Sequence, residues 1–189
     1  MKVALLQLNV TDTPEQNLPR TVAMVQEAAA RGAEMVLTPE VTNCVSTNRA
    51  HQQQVLQHEA EDVTLEALRK TAQATGIWLS IGSLAVKTED PDGRFANRSF
   101  LISPDGEIAA RYDKIHMFDV QISESETYRE SAGYRPGEKA VVAQTPSATL
   151  GLSICYDMRF PALYSALAGA GAQIIVVPSA FSTVTGAAH

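Results

Sequence analysis

Leu150-Gly151-Leu152-Ser153-Ile154-Cys155-Tyr156-Asp157-Met158-Arg159-Phe160-Pro161 is the stretch on which the fold turns. An apolar strand stops at a cysteine, the chain bends, and a proline opens a helix of small residues running from Pro161 to Gly169. Proline suits that position because the first helical N–H has no partner inside the helix in any case. Gln173 to Val177 then reads as a second buried strand. Strand, helix and strand in this order point to an α/β protein. A side chain at such an elbow stands at the sheet edge, with the N–H groups of the turn and the helix start pointing toward any oxyanion formed there. Cys155 is therefore a candidate nucleophile; the competing reading is a buried structural thiol, since free cysteine is among the most buried residue types.

The chain has no internal repeats, but its N-terminal half also opens on strand, helix and strand. Val3 to Leu8 is a short apolar run, and Thr11-Asp12-Thr13-Pro14-Glu15 combines capping side chains with proline at a helix start. Leu18, Val22, Val25 and Ala29 make one apolar helical face, Pro19 falls in or near the first turn, and Gly32 ends the helix. Met35-Val36-Leu37 is a buried strand that Thr38-Pro39-Glu40 leaves at its carboxyl end. After a polar stretch through His51 and Gln57, Thr64 to Thr75 places Leu65, Leu68 and Ala72 on one helical face, and a strand follows at Ile77 to Leu84. Phe95 to Ile102 and Glu107 to Tyr112 flank Pro104-Asp105-Gly106, a hairpin signal that requires antiparallel neighbours in the sheet. Residues 119 to 137 carry Glu124, Glu126 and Glu130 without a clear period and read as a long surface or active-site loop; Val141-Val142 and Thr149 to Ile154 are strands.

Composition limits what such a protein does. Its 189 residues are 45% hydrophobic and 19% charged, the balance of ordinary globular domains, and one core is expected over residues 1–189. Against 21 acidic residues stand 15 basic ones, scattered along the chain, for a net charge of −6. Nucleic acid and anionic membrane are poor partners for that charge. The run after Met1-Lys2 is too short for an export signal, and no stretch approaches the roughly 18 apolar residues of a membrane span. The two cysteines, Cys44 and Cys155, are too few for a disulfide framework, so a reducing cytoplasm is the expected location. No paired His/Cys spacing suggests a metal site, and no cofactor is expected.

A cysteine nucleophile needs a base and an electrophilic stabiliser. Glu40 and Lys114 each end a strand, although a charge in that position is more often solvated surface. Of the four histidines, His51 and His58 lie in polar sequence and His189 is the last residue; His116, two residues beyond Lys114, shares its strand face if the strand continues. A Cys-His dyad is thus the rival to a glutamate base.

Thr38-Pro39-Glu40, then Tyr112-Asp113-Lys114-Ile115-His116-Met117-Phe118-Asp119, then Cys155 to Pro161, together with Pro178-Ser179-Ala180-Phe181, resemble the nitrilase superfamily of carbon–nitrogen hydrolases, in particular its Nit-type amidase branch. The resemblance runs from Val3 to the last residue. It implies an α-β-β-α sandwich, with Cys155 as nucleophile, Glu40 as general base, Lys114 as the cation that stabilises the tetrahedral intermediate, and Glu130 as the supporting second glutamate. The backbone N–H of Tyr156 joins the oxyanion site, and Arg159 is a candidate for a substrate carboxylate, with an ion pair to Asp157 or another acid bracing the elbow as the competing role. The implied reaction is hydrolysis of a small linear amide through a thioester, of omega-amidase or deaminated glutathione amidase type, in a homodimer or higher homo-oligomer. A free glutamate and a free thiol differ by about 4 pH units, or roughly 5.7 kcal/mol. Lys114 beside the thiol is expected to narrow that gap.

Two departures from the family pattern accompany the match. Val41-Thr42-Asn43-Cys44 stands where many members carry an apolar aromatic, which bears on pocket shape. Family domains also continue past this point, and Gly186-Ala187-Ala188-His189 resembles the start of a further motif, so the expectation is a single carbon–nitrogen hydrolase domain lacking its C-terminal part. The alternatives are a non-catalytic interaction protein or inactive fragment on the same fold, or nitrilase or N-acyltransferase chemistry on the same triad.

Overall fold

The computed structural model describes residues 1–122 and 127–187. Strands β1 (Val3–Leu5), β2 (Met35–Leu37), β3 (Trp78–Val86), β4 (Ala96–Ile102) and β5 (Ile108–Asp113) form a five-stranded sheet in that order. β1, β2 and β3 run parallel, while β3, β4 and β5 are antiparallel neighbours. The parallel half is joined by helices α1 (Pro14–Ala30), α2 (Arg49–Val55) and α3 (Val63–Thr75), since a parallel pair needs a crossover. The antiparallel half turns through Pro104-Asp105-Gly106, where Gly106 takes a φ of 78°. A short hairpin, β6 (Asp119–Gln121) with β7 (Thr127–Arg129), precedes a second sheet of β8 (Val141–Gln144), β9 (Thr149–Leu152) and β10 (Ile174–Val176) in the order β10-β9-β8. Helix α4 (Pro161–Gly169) lies between β9 and β10, and α5 (Thr183–Ala187) follows β10.

Two apolar layers hold these parts together. Val25 and Ala28 of α1 and Leu65, Leu68 and Ala72 of α3 pack on Val36, Leu79, Ile81, Phe100 and Ile102, covering one face of the large sheet. From its other face Met35, Leu101 and Tyr112 enter a cluster with Leu150 and Leu152 of the second sheet, with Ile154 just beyond β9, and with Leu163 and Leu167 of α4. Gly151 lets α4 lie close on β9, since a Cβ there would stand 3.3 Å from that of Leu167. The layer order is helix, sheet, sheet, helix: the expected α-β-β-α arrangement.

Several local expectations change. Pro19 lies well inside α1, which continues to Ala30. That helix buries Asn17, Thr21, Val25 and Ala28, a stripe rotated from the expected Leu18-Val22-Val25-Ala29 face. The rotation is tolerated because Asn17 Nδ2 donates to the carbonyls of Thr11 and Asn43 at 2.9 Å each, and Thr21 Oγ1 donates to Asn17 O at 2.9 Å. The polar stretch before His58 hides α2, capped by Asn48, whose side chain accepts from His51 N. The loop expected over 119–137 holds the β6–β7 hairpin and a 3-10 turn at Glu130–Ala132; Glu124, Glu126 and His189 lie outside the described residues. Helix α4 buries only Leu163 and Leu167, while Ala162, Ser165, Ala166, Ala168 and Gly169 face solvent.

Candidate active site

Glu40 is delivered by β2 and fixed by the loop that follows it. Val41 N donates to Ser83 Oγ at 2.7 Å and Thr42 N to Ser83 O at 2.9 Å, while Asn43 closes a two-bond bracket with the backbone of Ala85. The segment Val41-Thr42-Asn43-Cys44, read from sequence as a matter of pocket shape, is thus the clamp that hangs the glutamate on β3. The clamp forces Val41 to a φ of 46°, unfavourable for a β-branched residue. On the other side, Ala180 N donates to Glu40 Oε2 at 3.0 Å.

Lys114 follows β5 directly and is 2% exposed. Its ammonium lies 2.9 Å from Glu40 Oε1, and 3.2 and 2.9 Å from Glu130 Oε1 and Oε2. Burial opposes the charge, but the carboxylates of Glu40 and Glu130 outweigh it and hold Lys114 above its ordinary value. Glu130 Oε2 also accepts from Phe118 N at 2.6 Å, so the supporting glutamate is set by the stretch beyond Lys114. Glu40, Lys114 and Glu130 therefore meet, as do the motifs that carry them.

Cys155 heads a 3-10 turn, Cys155–Arg159, that makes the expected bend between β9 and α4. Its φ is 47°, and its N–H donates to Pro178 O at 2.9 Å, pinning the elbow to the exit of β10. The thiol is half-buried and lines the same cavity as Glu40. One expectation reverses here: burial first, then the Glu40 carboxylate, push the Cys155 thiol up to about 12, against the pull of Lys114 and Ser179. The lysine's charge is largely answered by its two glutamates. Tyr156 follows Cys155 in the same turn and lines the cavity.

Asp157, wholly buried, braces the elbow from behind. It accepts from Tyr112 Oη at 2.7 Å, Ile154 N at 2.9 Å and His116 N at 3.0 Å, with His116 Nδ1 also 2.7 Å away. These partners replace the Asp157–Arg159 ion pair considered from sequence. They also displace His116 from the role of base: β5 ends at Asp113, and the imidazole stacks on Phe160 at 3.7 Å and does not line the cavity. Arg159 is exposed and lines the cavity. Asn97 was missed by the sequence reading: buried on β4, its Nδ2 donates to Glu40 Oε1 at 2.9 Å and Glu130 Oε1 at 3.2 Å. The only signal was an amide in an apolar strand, Phe95 to Ile102.

Glu40, Asn97, Lys114, Glu130 and Cys155 line one cavity of about 700 Å³, walled also by Phe118, Tyr128, Tyr134, Met158 and Phe181. Among the described residues no group of His, Cys, Asp and Glu could hold a metal ion, and no helix is long and apolar enough to cross a membrane.

A half-buried thiol, two carboxylates and an ammonium on a helix–sheet–sheet–helix frame define a nitrilase-like α/β protein. The carbon–nitrogen hydrolase family profile matches residues 2–189, and the chain belongs to that family. It is 39% identical over 188 residues to deaminated glutathione amidase of Yersinia enterocolitica, covering 99% of this chain and 65% of that protein. It is 34% identical over 191 residues to omega-amidase NIT2 of Homo sapiens, covering 100% of this chain and 66% of that one. The C. elegans NitFhit structure superposes with a TM-score of 0.89 at 34% identity, covering 99% of this chain and 45% of that chain. The chain thus spans just under two thirds of the length of these two amidase relatives.

Proposed function

We propose that this chain carries the catalytic site of an amidase that hydrolyses a small linear amide to a carboxylic acid and ammonia, with Cys155 as nucleophile. The observation that carries the reading is the Cys155 thiol sharing one cavity with Glu40, which Lys114 holds at 2.9 Å. A thiol held at about 12 is protonated at neutral pH, so its proton leaves as attack proceeds. Glu40 takes that proton while the sulfur bonds to the amide carbon and the carbonyl electrons move to oxygen.

The ammonium of Lys114 has three N–H bonds. One meets Glu40 Oε1 and one is shared between the oxygens of Glu130, leaving the third for the oxyanion beside the elbow N–H of Tyr156. Collapse breaks the C–N bond, Glu40 returns its proton to the leaving nitrogen, and ammonia departs from a thioester. Water, deprotonated by the same carboxylate, then releases the acid and restores the thiol. Arg159 at the cavity wall suits a carboxylate on the far end of the substrate, which supports the omega-amide of a 2-oxo dicarboxylic acid or deaminated glutathione as the substrate class. The relatives' names point the same way.

The test is ammonia release from such an amide by the unaltered chain and by Cys155→Ala. Turnover in the first and none in the second supports the reading; no turnover of any amide by the unaltered chain overturns it. The small-residue face of α4, with Ala162, Ala166 and Gly169 exposed, suits close approach of a second copy about a two-fold axis, and the reading includes a cytoplasmic homodimer. Sedimentation equilibrium of the unaltered chain and of Ala166→Glu checks it: a dimer that the glutamate dissociates is expected, and a folded, active monomer at low micromolar concentration overturns it.

A further inference from the structure

Two anionic carboxylates and one ammonium leave the floor of the cavity with an excess of negative charge, and something must hold Glu40 and Glu130 together besides Lys114. The second holder is Asn97. Its side chain is 2% exposed, and its two amide hydrogens go one to each carboxylate: Glu40 Oε1 at 2.9 Å and Glu130 Oε1 at 3.2 Å. These are the same Oε1 atoms that Lys114 Nζ approaches at 2.9 and 3.2 Å. The two donors are tied to each other as well, since Lys114 N donates to Asn97 O at 2.9 Å. Asn97 sits opposite Ala85, the residue that Asn43 brackets, so the clamp on the Glu40 loop and the amide that holds its carboxylate meet at one register position.

The orientation of the amide is settled by charge. Rotated by half a turn, its oxygen would face two carboxylates, so the nitrogen must point at them. Asn97 Oδ1 is then buried with no hydrogen-bond partner among the described residues. A residue chosen for fold alone has no reason to leave that acceptor unmatched in an apolar strand, where a leucine would fit without it.

We infer that Asn97 is a positioning residue of the amidase: it fixes Glu40 Oε1 away from the thiol, leaving Oε2 as the oxygen that exchanges the proton with Cys155. This rests on the amidase reading above. An amide suits the task because it supplies two donors without a second positive charge, which would pair with Glu40 outright and weaken it as a base. Oε2 accepts from Ala180 N at 3.0 Å, which leaves it one further lone pair for the thiol proton.

The experiment compares the full chain with Asn97→Leu and Asn97→Asp. Asn97→Leu keeps the volume, removes both donors and removes the unmatched acceptor, so thermal stability is expected to hold. Its kcat for amide hydrolysis should fall by about 10²-fold, with KM within about threefold. Asn97→Asp, which sets a third carboxylate against the other two, should not restore it. The acid limb of kcat/KM should move to higher pH in Asn97→Leu, because a carboxylate stripped of a donor holds its proton more tightly. The charged and titratable groups facing Glu40 there are Lys114 from the end of β5, Glu130 from its 3-10 turn, Cys155 from the elbow and Tyr134.

A second readout needs no turnover: alkylation of Cys155 by iodoacetamide at pH 8 should slow at least fivefold in Asn97→Leu. A kcat within twofold of the unaltered chain, or a loss matched by a lowered melting temperature with an unmoved pH profile, overturns the inference. If the unaltered chain hydrolyses no amide, the amidase reading fails by itself, and an unchanged alkylation rate in Asn97→Leu then overturns the positioning role too.

Discussion

Val41 and Cys155 share a backbone conformation that L-residues with side chains seldom adopt, with φ of 46° and 47°. They are the positive-φ residues other than glycine among those described, and both line the candidate site. Val41 follows Glu40, the proposed base, and Cys155 carries the thiol. In each case hydrogen bonds over-determine the strained residue: Val41 N to Ser83 Oγ at 2.7 Å, Cys155 N to Pro178 O at 2.9 Å.

Val41→Gly should therefore separate stability from function. Relief of the left-handed conformation offsets glycine's extra unfolded-state entropy, so stability should hold or rise by up to about 1 kcal/mol. Turnover should fall several-fold as the Glu40 loop gains freedom. A chemical-denaturation midpoint measured beside kcat checks this; a large loss of stability would show that the valine side chain, and not the clamp, sets the turn.

Thiol labelling distinguishes the two cysteines. Cys44 is 1% exposed, its Sγ donates to Asp12 O at 3.4 Å, and burial pushes its thiol up to about 11. A thiol-reactive amide analogue should modify Cys155 and leave Cys44 untouched in the native state. Cys155→Ala should abolish capture while Cys44→Ala leaves it intact, as peptide mapping will show. Without substrate, labelling of Cys155 should keep climbing above pH 9, toward about 12, in place of levelling off near the ordinary thiol value. Stability follows the same sign. The folded thiol is raised above its ordinary value of 9.0, so stabilisation is complete below pH 9 and is lost as pH rises toward about 12.

Glu40→Gln and His116→Asn should differ in kind. Glutamine keeps the shape of the base but cannot take the thiol proton, so turnover should drop by about 10³-fold with the fold intact. His116→Asn instead disturbs the brace on buried Asp157, 2.7 Å from Nδ1. It should cost about 1–3 kcal/mol of stability while leaving most of the turnover. The reverse pattern would restore histidine as the base.

The frame was legible because its signals are local. Pro161 to Gly169 matches α4 residue for residue, and Gly76 and Gly106 stand at positive φ of 68° and 78° where a helix end and a hairpin were expected. Motif spacing delivered Glu40, Lys114, Glu130 and Cys155, which the fold gathers from four separate segments. What escaped is what depends on partners distant in sequence. Asn97 reads as one amide in an apolar strand, and its meaning appears only when Glu40 and Glu130, 57 and 33 residues away, arrive beside it. His116 read as a nearby base, and Asp157, 41 residues on, claims it. The thiol's elevation likewise comes from burial, which no spacing displays.

Gly82 is the last test, because two exits of the fold cross over it. The chain leaving β2 toward Glu40 and the chain leaving β10 toward Ala180 both lie against this residue. A Cβ there would stand 2.2 Å from Thr38 O, 2.4 Å from Pro39 O and 2.6 Å from Pro178 Cβ. Two of those atoms are backbone, so no rotamer change makes room, and Gly82 N also donates to Thr38 Oγ1 at 3.0 Å. Gly82→Ala must push the two exits apart, at a cost of about 1–3 kcal/mol for overpacking. The same displacement lengthens the contact between Glu40 Oε2 and Ala180 N and shifts Pro178 O, which holds Cys155 N, so turnover should fall by at least tenfold. Gly169→Ala is the control: a Cβ there meets nothing within 4 Å, and the helix should gain up to about 1 kcal/mol. Melting temperature and kcat measured on both variants decide the matter; an active, stable Gly82→Ala would mean that the two exits do not set the distance between base and nucleophile.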